Sequence, residues 1–458
     1  MSPTSSPPAS TPAGRFGKCL LPAICLTSAL AIVSARPAAA ANNLLWFSDG
    51  RPTPVARKAT DLLAGAAEDG LNAHDYGADL LRNAIENAAS GPVPADDTVI
   101  QLERALTSAT RRYLADLRSG RVDPQQLDEN YNGASGPGID LDALLISAIA
   151  DDRLPEAARS AHPPLAQYLE LREALARYRL LAGNPAWLKA LPAPADGKLQ
   201  PGQTYAGIPV LSQRLKALGD LRANGAPPAR YEGGLVDAVK SFQERHGLTP
   251  DGVVGKGTLE QLNVPPEFRV RQIELALERL RWTPLLPASR AIVVNIPEFR
   301  VRAYEVRDGK VEMKVAMNVI VGNAAKTRTP IFDAEMRFVE FSPYWNVPPS
   351  IARGETLPRL RREPGYFDQQ GFEFVGRDGR VVGGFSEASL DAVQRGEMRI
   401  RQRPGARNAL GDIKFIFPNP DNIYLHHTPT PQLFKRDRRD FSHGCIRVEE
   451  PVALAKFV

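Results

Sequence analysis

Cysteine is almost absent from this chain, with three in 458 residues. Two of them, Cys19 and Cys25, fall in a segment that reads as a cleaved leader, which leaves one thiol, Cys445. A lone thiol cannot build a disulfide framework, and no zinc-finger spacing is present. A membrane-spanning run is missing too. The apolar stretch from Cys19 to Val33 has fifteen residues and contains Pro22, too short for a comfortable transmembrane helix. Excess charge of one sign is also lacking. The formal net charge is +5, and removing residues 1–40 takes away Arg15, Lys18 and Arg36 and no acid, leaving 54 basic against 52 acidic residues. With no basic helix or helix-turn-helix signature, this balance argues against a nucleic-acid partner.

The first forty residues have the layout of an export signal. Arg15 and Lys18 form a positive start, the apolar stretch follows, and Ala38-Ala39-Ala40 supplies the small residues a signal peptidase needs. No twin arginine precedes the apolar run, and neither cysteine there has a lipoprotein context. The competing reading is an uncleaved anchor, so any membrane association expected is through this segment before cleavage. Export places the remainder in an oxidising compartment, the periplasm, where an unpaired thiol marks a reactive group rather than a structural one.

At this length several domains are expected. Residues 41–195 read as a helical scaffold: Leu102, Ala105, Leu106, Ala109, Tyr113, Leu114 and Leu117 recur at helical spacing and form one apolar face. His74 and His162 are read as structural or surface residues. A linker rich in Pro, Ala and Gly leads into a compact helical unit over 203–265. There His246 near a helix end suits a C-terminal charge or hydrogen bond, and Thr258 or a neighbour caps a short helix. A connector helix over 266–287 follows. From 288 to 458 the period changes to that of strands, with Ala291 to Ile296, Phe299 to Tyr304, Val311 to Val321 and Phe338 to Val347 as candidates. Residues 350–407 interrupt them as an insertion that reads either as a lid or as a floppy surface loop. The expected fold class is multidomain α+β: helical scaffold, small three-helix module and mostly antiparallel β catalytic domain with a capping insertion.

The residues that carry chemistry lie near the end. Ile413 to Phe417 and Ile423 to His427 flank the turn residues Pro418 to Asn422 and read as a hairpin. Residues two apart on a strand share a face, so Tyr424 and His426 point one way and His427 the other. Nineteen residues after His426 comes Cys445, in Ser442-His443-Gly444-Cys445-Ile446-Arg447. A cysteine nucleophile needs a base, a group that orients the base, and donors for the charge developing on the attacked oxygen. His426 suits the base and a carbonyl near His427 the orienter. Amides around Gly444-Cys445, helped by the Tyr424 hydroxyl, suit the oxyanion site.

Two resemblances sharpen this. Residues 203–265 resemble the peptidoglycan-binding domain of cell-wall enzymes through Ala238-Val239-Lys240-Ser241-Phe242-Gln243, Gly247-Leu248 and the turn Asp251-Gly252 with Gly255 and Thr258. A module that only spaces its neighbours is the alternative. His426 with Ser442-His443-Gly444-Cys445, together with Tyr344-Trp345-Asn346-Val347-Pro348, resembles the L,D-transpeptidases with a YkuD-type catalytic domain, in their large periplasmic branch. That resemblance implies Cys445 as nucleophile and His426 as base, with His427, His443, Gly444 and Tyr424 orienting the base or shaping the oxyanion site, and Trp345 at the substrate. Where the family often has asparagine two positions after the cysteine, this chain has Arg447. It reads either as a surface ion pair or as a group holding the site or a substrate carboxylate.

The resemblance implies 3→3 cross-linking of peptidoglycan stem peptides through a thioester, with no cofactor and with cell-wall glycan as partner. It also implies a chain cut short: family members continue past Val458, which lies thirteen residues after Cys445, and an incomplete sheet leaves unpaired edge groups beside the site. The rivals are an L,D-carboxypeptidase using the same cysteine with water, a catalytically impaired wall-binding protein, and a zinc site built from His426, His427, His443 and Cys445. Divergence of adjacent strand residues argues against the last.

Overall fold

The computed structural model describes residues 44–127, 140–222, 225–282, 289–308 and 310–458. The expected leader and the end of the connector helix lie outside these residues. A short hairpin, β1 (Phe47–Ser48) and β2 (Arg51–Pro52), precedes α1 (Pro54–Ala64), α2 (Ala78–Ser90), α3 (Asp96–Ser119), α4 (Leu141–Ala150), α5 (Leu154–Ala161) and α6 (Ala166–Leu181). Thr53 accepts from the Ala56 N–H and Pro54 opens α1, a start that satisfies an otherwise orphaned amide. The buried face of α3 is Val99, Glu103, Leu106, Thr110, Tyr113, Leu114 and Leu117, rotated from the expected stripe so that Ala105 is exposed. The rotation follows from Glu103, whose carboxylate accepts the amides of Leu45 at 2.6 Å and Trp46 at 3.0 Å. A carboxylate with two donors can be buried at modest cost.

The small module consists of α7 (Ile208–Ala217), α8 (Gly234–Arg245) and α9 (Lys256–Asn263), around Leu211, Leu215, Tyr231, Val239 and Phe242. The Gln243 amide holds its turn together. Its nitrogen reaches Asp251 Oδ1 and the Val253 carbonyl at 3.0 Å and Thr258 Oγ1 at 3.1 Å, while its oxygen accepts the Gly252 N–H at 2.8 Å. Thr258 is therefore spent inside the module, and α9 starts at Gly255 without a side-chain cap. His246 stacks on Phe242 with ring centroids 3.9 Å apart and its Nδ1 sits 2.7 Å from the Phe242 carbonyl. Burial lowers its pKa to about 4, so it acts as a neutral hydrogen-bonding group and not as a helix-end charge.

The expected connector, α10 (Pro266–Arg281), does more than connect. With α6 it shares a core of Tyr168, Leu175, Ile273 and Leu277 that also takes in Tyr304 of the sheet. Beneath it, buried Asp69 accepts the hydroxyls of Tyr113 at 3.2 Å and Tyr168 at 3.1 Å, and buried His162 faces it at 3.2 Å.

The C-terminal domain begins with the antiparallel meander β3 (Arg290–Asn295), β4 (Arg300–Arg307) and β5 (Lys310–Gly322), followed by β6 (Phe338–Phe341). Residues 345–402 then form a second folded unit: β7 (Trp345–Asn346), α11 (Pro349–Ile351), α12 (Leu357–Arg362), α13 (Tyr366–Gln370), β8 (Phe372–Gly376), β9 (Val381–Val382), α14 (Glu387–Arg395) and β10 (Met398–Gln402). The insertion is not a floppy loop. Its sheet has the order β7-β10-β8-β9, and Leu357, Leu360, Phe374, Leu390 and Ile400 give it a core of its own. The expected strand from Phe338 to Val347 accordingly splits between two sheets.

The chain returns through β11 (Ile413–Ile416), β12 (Leu425–His426), β13 (Asp440–Ser442) and β14 (Ile446–Val448), then α15 (Pro451–Phe457). The main sheet runs β3-β4-β5-β14-β12-β11-β6, with β13 alongside β5. All its pairings are antiparallel except β12 with β14 and β13 with β5. The unpaired edge expected beside Cys445 is not found: β14 lies between β5 and β12, and α15 packs Leu454 and Phe457 into the core with Phe415 and Val448.

Candidate active site

Parallel pairing of β12 with β14 sets Leu425 opposite Ile446 and His426 opposite Arg447. Opposed residues share a face, as do residues two apart. Tyr424, His426, Cys445 and Arg447 therefore occupy one face as a two-by-two block. Antiparallel pairing of β11 adds Lys414, opposite His426.

A tight turn presents Cys445. Gly444 has φ +120, and a Cβ there would stand 3.2 Å from Ile423 Cδ1, so glycine suits both the conformation and the space. Ser442 Oγ donates to the Cys445 carbonyl at 2.5 Å and accepts the Gly444 N–H at 3.2 Å. Buried Thr329 donates to the Gly444 carbonyl at 2.7 Å while accepting the Gly322 N–H at 2.9 Å. At Gly322 any side chain would collide with the Thr327 carbonyl oxygen. The loop between β5 and β6 thus clamps the turn from below.

The thiol itself donates toward the Asn422 carbonyl, with Sγ 3.8 Å away. Asn422 holds a left-handed φ of +54, which asparagine tolerates. Tyr424, through its hydroxyl and its backbone, favours the charged form of the sulfur. The Trp345 side chain at the root of the insertion acts on the Tyr424 hydroxyl in the same sense. Burial raises the Cys445 pKa above its ordinary value, and the Tyr424 contacts and the cations Lys414 and Arg447 offset this only in part.

His426 is buried, and its Nδ1 lies 2.5 Å from the His427 carbonyl. With Nδ1–H donated there, Nε2 keeps its lone pair. Burial first, then the neighbouring Arg447, pushes its pKa down to about 3. No hydrogen bond joins His426 to the sulfur among the described residues. Base and thiol rest as neutral neighbours, a state common before substrate arrives.

The remaining candidates separate by position. The His427 ring points away, 3.3 Å from Asp412. The His443 ring leaves the site and meets Glu355 of the insertion, Nε2 to Oε1 at 2.6 Å, so it does not face the sulfur. The Gly444 amide is spent on Ser442, which leaves the Cys445 N–H, unpartnered among the described residues, as the turn's available donor. Arg447 makes no ion pair among the described residues, its Nε is buried without a partner, and burial depresses its pKa. The surface-ion-pair reading of Arg447 therefore fails. Four groups were not singled out in the sequence: Lys414, Asn422, Thr329 and Glu355. The alternation of β11 against β12 could have found Lys414, whose Nζ lies 4.4 Å from the Tyr424 ring centre. The others depend on long-range contacts that leave no local pattern. His426, His427 and His443 diverge, and no group of three or more potential metal ligands occurs among the described residues.

This geometry coincides with what comparison reveals. Residues 289–458 match the model of the L,D-transpeptidase catalytic domain (YkuD). The C-terminal part of the chain is therefore similar to L,D-transpeptidase catalytic domains over residues 289–458. Residues 204–262 match the "Putative peptidoglycan binding domain" and residues 38–175 a scaffold domain. A stretch of 191 residues is 34% identical to a Haemophilus influenzae protein named "Putative L,D-transpeptidase". That match covers 41% of this chain and 37% of the relative, so the chain spans little more than a third of the relative's length in the aligned region. The site built on β12 and β14 lies inside the stretch that matches the transpeptidase model.

Proposed function

We propose that the protein cross-links peptidoglycan stem peptides 3→3 through a thioester on Cys445. The observation that carries this reading is the shared face of Tyr424, His426, Cys445 and Arg447. It gathers a nucleophile, a base with a free Nε2, a hydroxyl donor and an unpaired guanidinium. His426 Nε2 takes the thiol proton as Sγ bonds to the carbonyl carbon of the third stem residue, a diamino acid. The Cys445 N–H and the Tyr424 hydroxyl meet the developing oxyanion, each worth roughly 2.7–4 kcal/mol where such donors have been removed elsewhere. The bond to D-alanine breaks, and its nitrogen leaves with the proton held on His426. The side-chain amine of a second stem then attacks the thioester carbon, an amide forms, and the sulfur leaves and regains a proton through His426. Arg447 and Trp345 hold the substrate, the former by a carboxylate.

Residues 41–195 serve in this reading as scaffold, 203–265 as the wall-binding module, 266–287 as connector and 350–407 as a capping insertion. Thr249 of the module donates its N–H at 2.9 Å and its hydroxyl at 2.7 Å to Asp437, a contact that supports wall binding and catalysis acting on one strand. Residues 1–40 export the chain to the periplasm, where the substrate lies.

Incubation with disaccharide-tetrapeptide tests the reading. Dimers joined through the third residues are expected with the parent protein and none with Cys445→Ala. Tripeptide without dimer would make the enzyme an L,D-carboxypeptidase. Retained binding to sacculi with no adduct at Cys445 would make it a wall-binding protein.

A further inference from the structure

The insertion holds eleven arginines and no lysine between residues 345 and 407. Most are neutralised locally: Arg359 by Glu363, Arg361 by Asp391, Arg380 by Asp378, Arg395 by Glu397, and Arg401 and Arg403 by Glu373. Arg407 donates to the Gln369 carbonyl. Arg353, Arg362, Arg377 and Arg399 have no ion pair or hydrogen bond among the described residues. Three of these four line one cavity.

That cavity, about 200 Å³, opens between β8, β10 and the start of α11. Its apolar part includes Val347, Val375 and Ile400, all buried. Arg399 and Val375 are register partners, which sets Arg399 beside the end of β8 and Arg377 just past it. Arg353 Nη2 comes within 3.7 Å of where a Cβ would stand on Gly396, another lining residue. The acid at the rim, Glu397, is turned to Arg395 by two bonds of 3.0 and 2.9 Å and also feels Arg377, which still leaves Arg353 and Arg399 without an acid partner.

Exposed, unpaired arginines around an apolar floor have a defined preference. A guanidinium presents paired N–H groups that fit a carboxylate in two parallel bonds. The floor favours an aliphatic segment next to the charge. The volume lies below the roughly 300–1,000 Å³ that encloses a drug-sized ligand, which suits one amino-acid-sized unit of a longer chain. We infer that this cavity is a second peptide-binding site, separate from the thiol, that takes a carboxylate-bearing residue of a cell-wall stem peptide. The inference rests on the peptidoglycan reading above. Arg353 is two positions from Glu355, which touches His443, so a stem held here lies on the same insertion that borders the nucleophile.

The test uses the full chain with Cys445 carbamidomethylated, titrated by calorimetry with a tripeptide bearing free glutamyl and diamino-acid carboxylates. Its amidated counterpart and inorganic phosphate are the other arms. The expected result is binding of the acid peptide that weakens at least tenfold in the double variant Arg377→Gln/Arg399→Gln and to a similar degree on amidation. Equal binding by parent and variant, equal binding of the amidated peptide, or displacement by equimolar phosphate would overturn the proposal. Carbapenem acylation of unmodified Cys445, read by mass, reports separately on the transpeptidase reading. Its absence in the parent counts against that reading and leaves the arginine result standing, and its persistence in the double variant shows an intact fold.

Discussion

Glu355 of the insertion meets His443 of the nucleophile turn, Oε1 to Nε2 at 2.6 Å. The two residues are 88 positions apart, Glu355 between α11 and α12 and His443 in the turn between β13 and β14. The contact ties the insertion to a residue two positions before Cys445, and Trp345, ten residues earlier in the insertion, acts on Tyr424. The first eleven residues of the insertion thus reach both the nucleophile turn and the neighbouring strand β12.

Breaking the Glu355 contact tests whether it restrains access. Both side chains are about half exposed, and such pairs contribute roughly 0–1 kcal/mol. Glu355→Ala is expected to leave stability within about 1 kcal/mol of the parent and to raise the rate of Cys445 alkylation by iodoacetamide several-fold. An unchanged rate would show that the contact does not gate the thiol.

The pH dependence of acylation follows from the two neutral partners. Cys445 is shifted upward, so its thiolate fraction is small at pH 7 and grows as pH rises. His426 protonates only near pH 3, so the base stays available down to about that value. The carbapenem acylation rate is expected to climb through pH 7 to 9 with no separate step near 6.5, and a step there assigned to His426 would contradict this arrangement. The same shift makes a stability claim. The unfolded chain takes a proton on His426 near 6.5 and the folded chain only near 3. Stability is therefore complete above 6.5 and lost as pH falls toward 3, by at most about 1.4 kcal/mol per pH unit. Urea unfolding of His426→Gln should show a shallower loss over that window.

The Tyr424 hydroxyl favours the charged form of the Cys445 sulfur, and burial raises its own pKa first of all, so it stays a neutral donor. Tyr424→Phe keeps the ring over Lys414 and removes only the hydroxyl. Acylation is expected to slow by about two to three orders of magnitude, the range for loss of an oxyanion-type donor, with little change in thermal stability. A rate equal to the parent's would remove Tyr424 from the mechanism.

The parts of the site that sequence reveals are those fixed by period. Alternation along 423–427 puts Tyr424 and His426 together, and the spacing around Cys445 supplies the nucleophile. Register is what sequence cannot show. Only the pairing of β12 with β14 sets Arg447 beside His426, and only that of β11 with β12 brings in Lys414. The insertion leaves no periodic signal because its apolar residues are spread over short strands and helices of two to nine residues, below the window in which periodicity is visible. On α3 the apolar stripe was legible but its rotation was not, since the polar pair that fixes it, Glu103 with the amides of Leu45 and Trp46, spans nearly sixty residues.

Thr329 offers the strictest test of how the turn is held. Its hydroxyl donates to the Gly444 carbonyl and accepts the Gly322 N–H, both buried. Thr329→Val keeps the shape and strands both backbone groups, each costing about 1–3 kcal/mol when left unsatisfied. A loss of several kcal/mol is expected, together with slower acylation at Cys445 because the turn that aims it is released. Thr329→Ser restores both bonds and should recover most of the stability and the acylation rate. If the valine variant loses stability but acylates at the parent rate, the clamp is structural only and the turn is aimed by Ser442 alone. If the serine variant fails to recover, the methyl packing of Thr329 matters more than its hydroxyl.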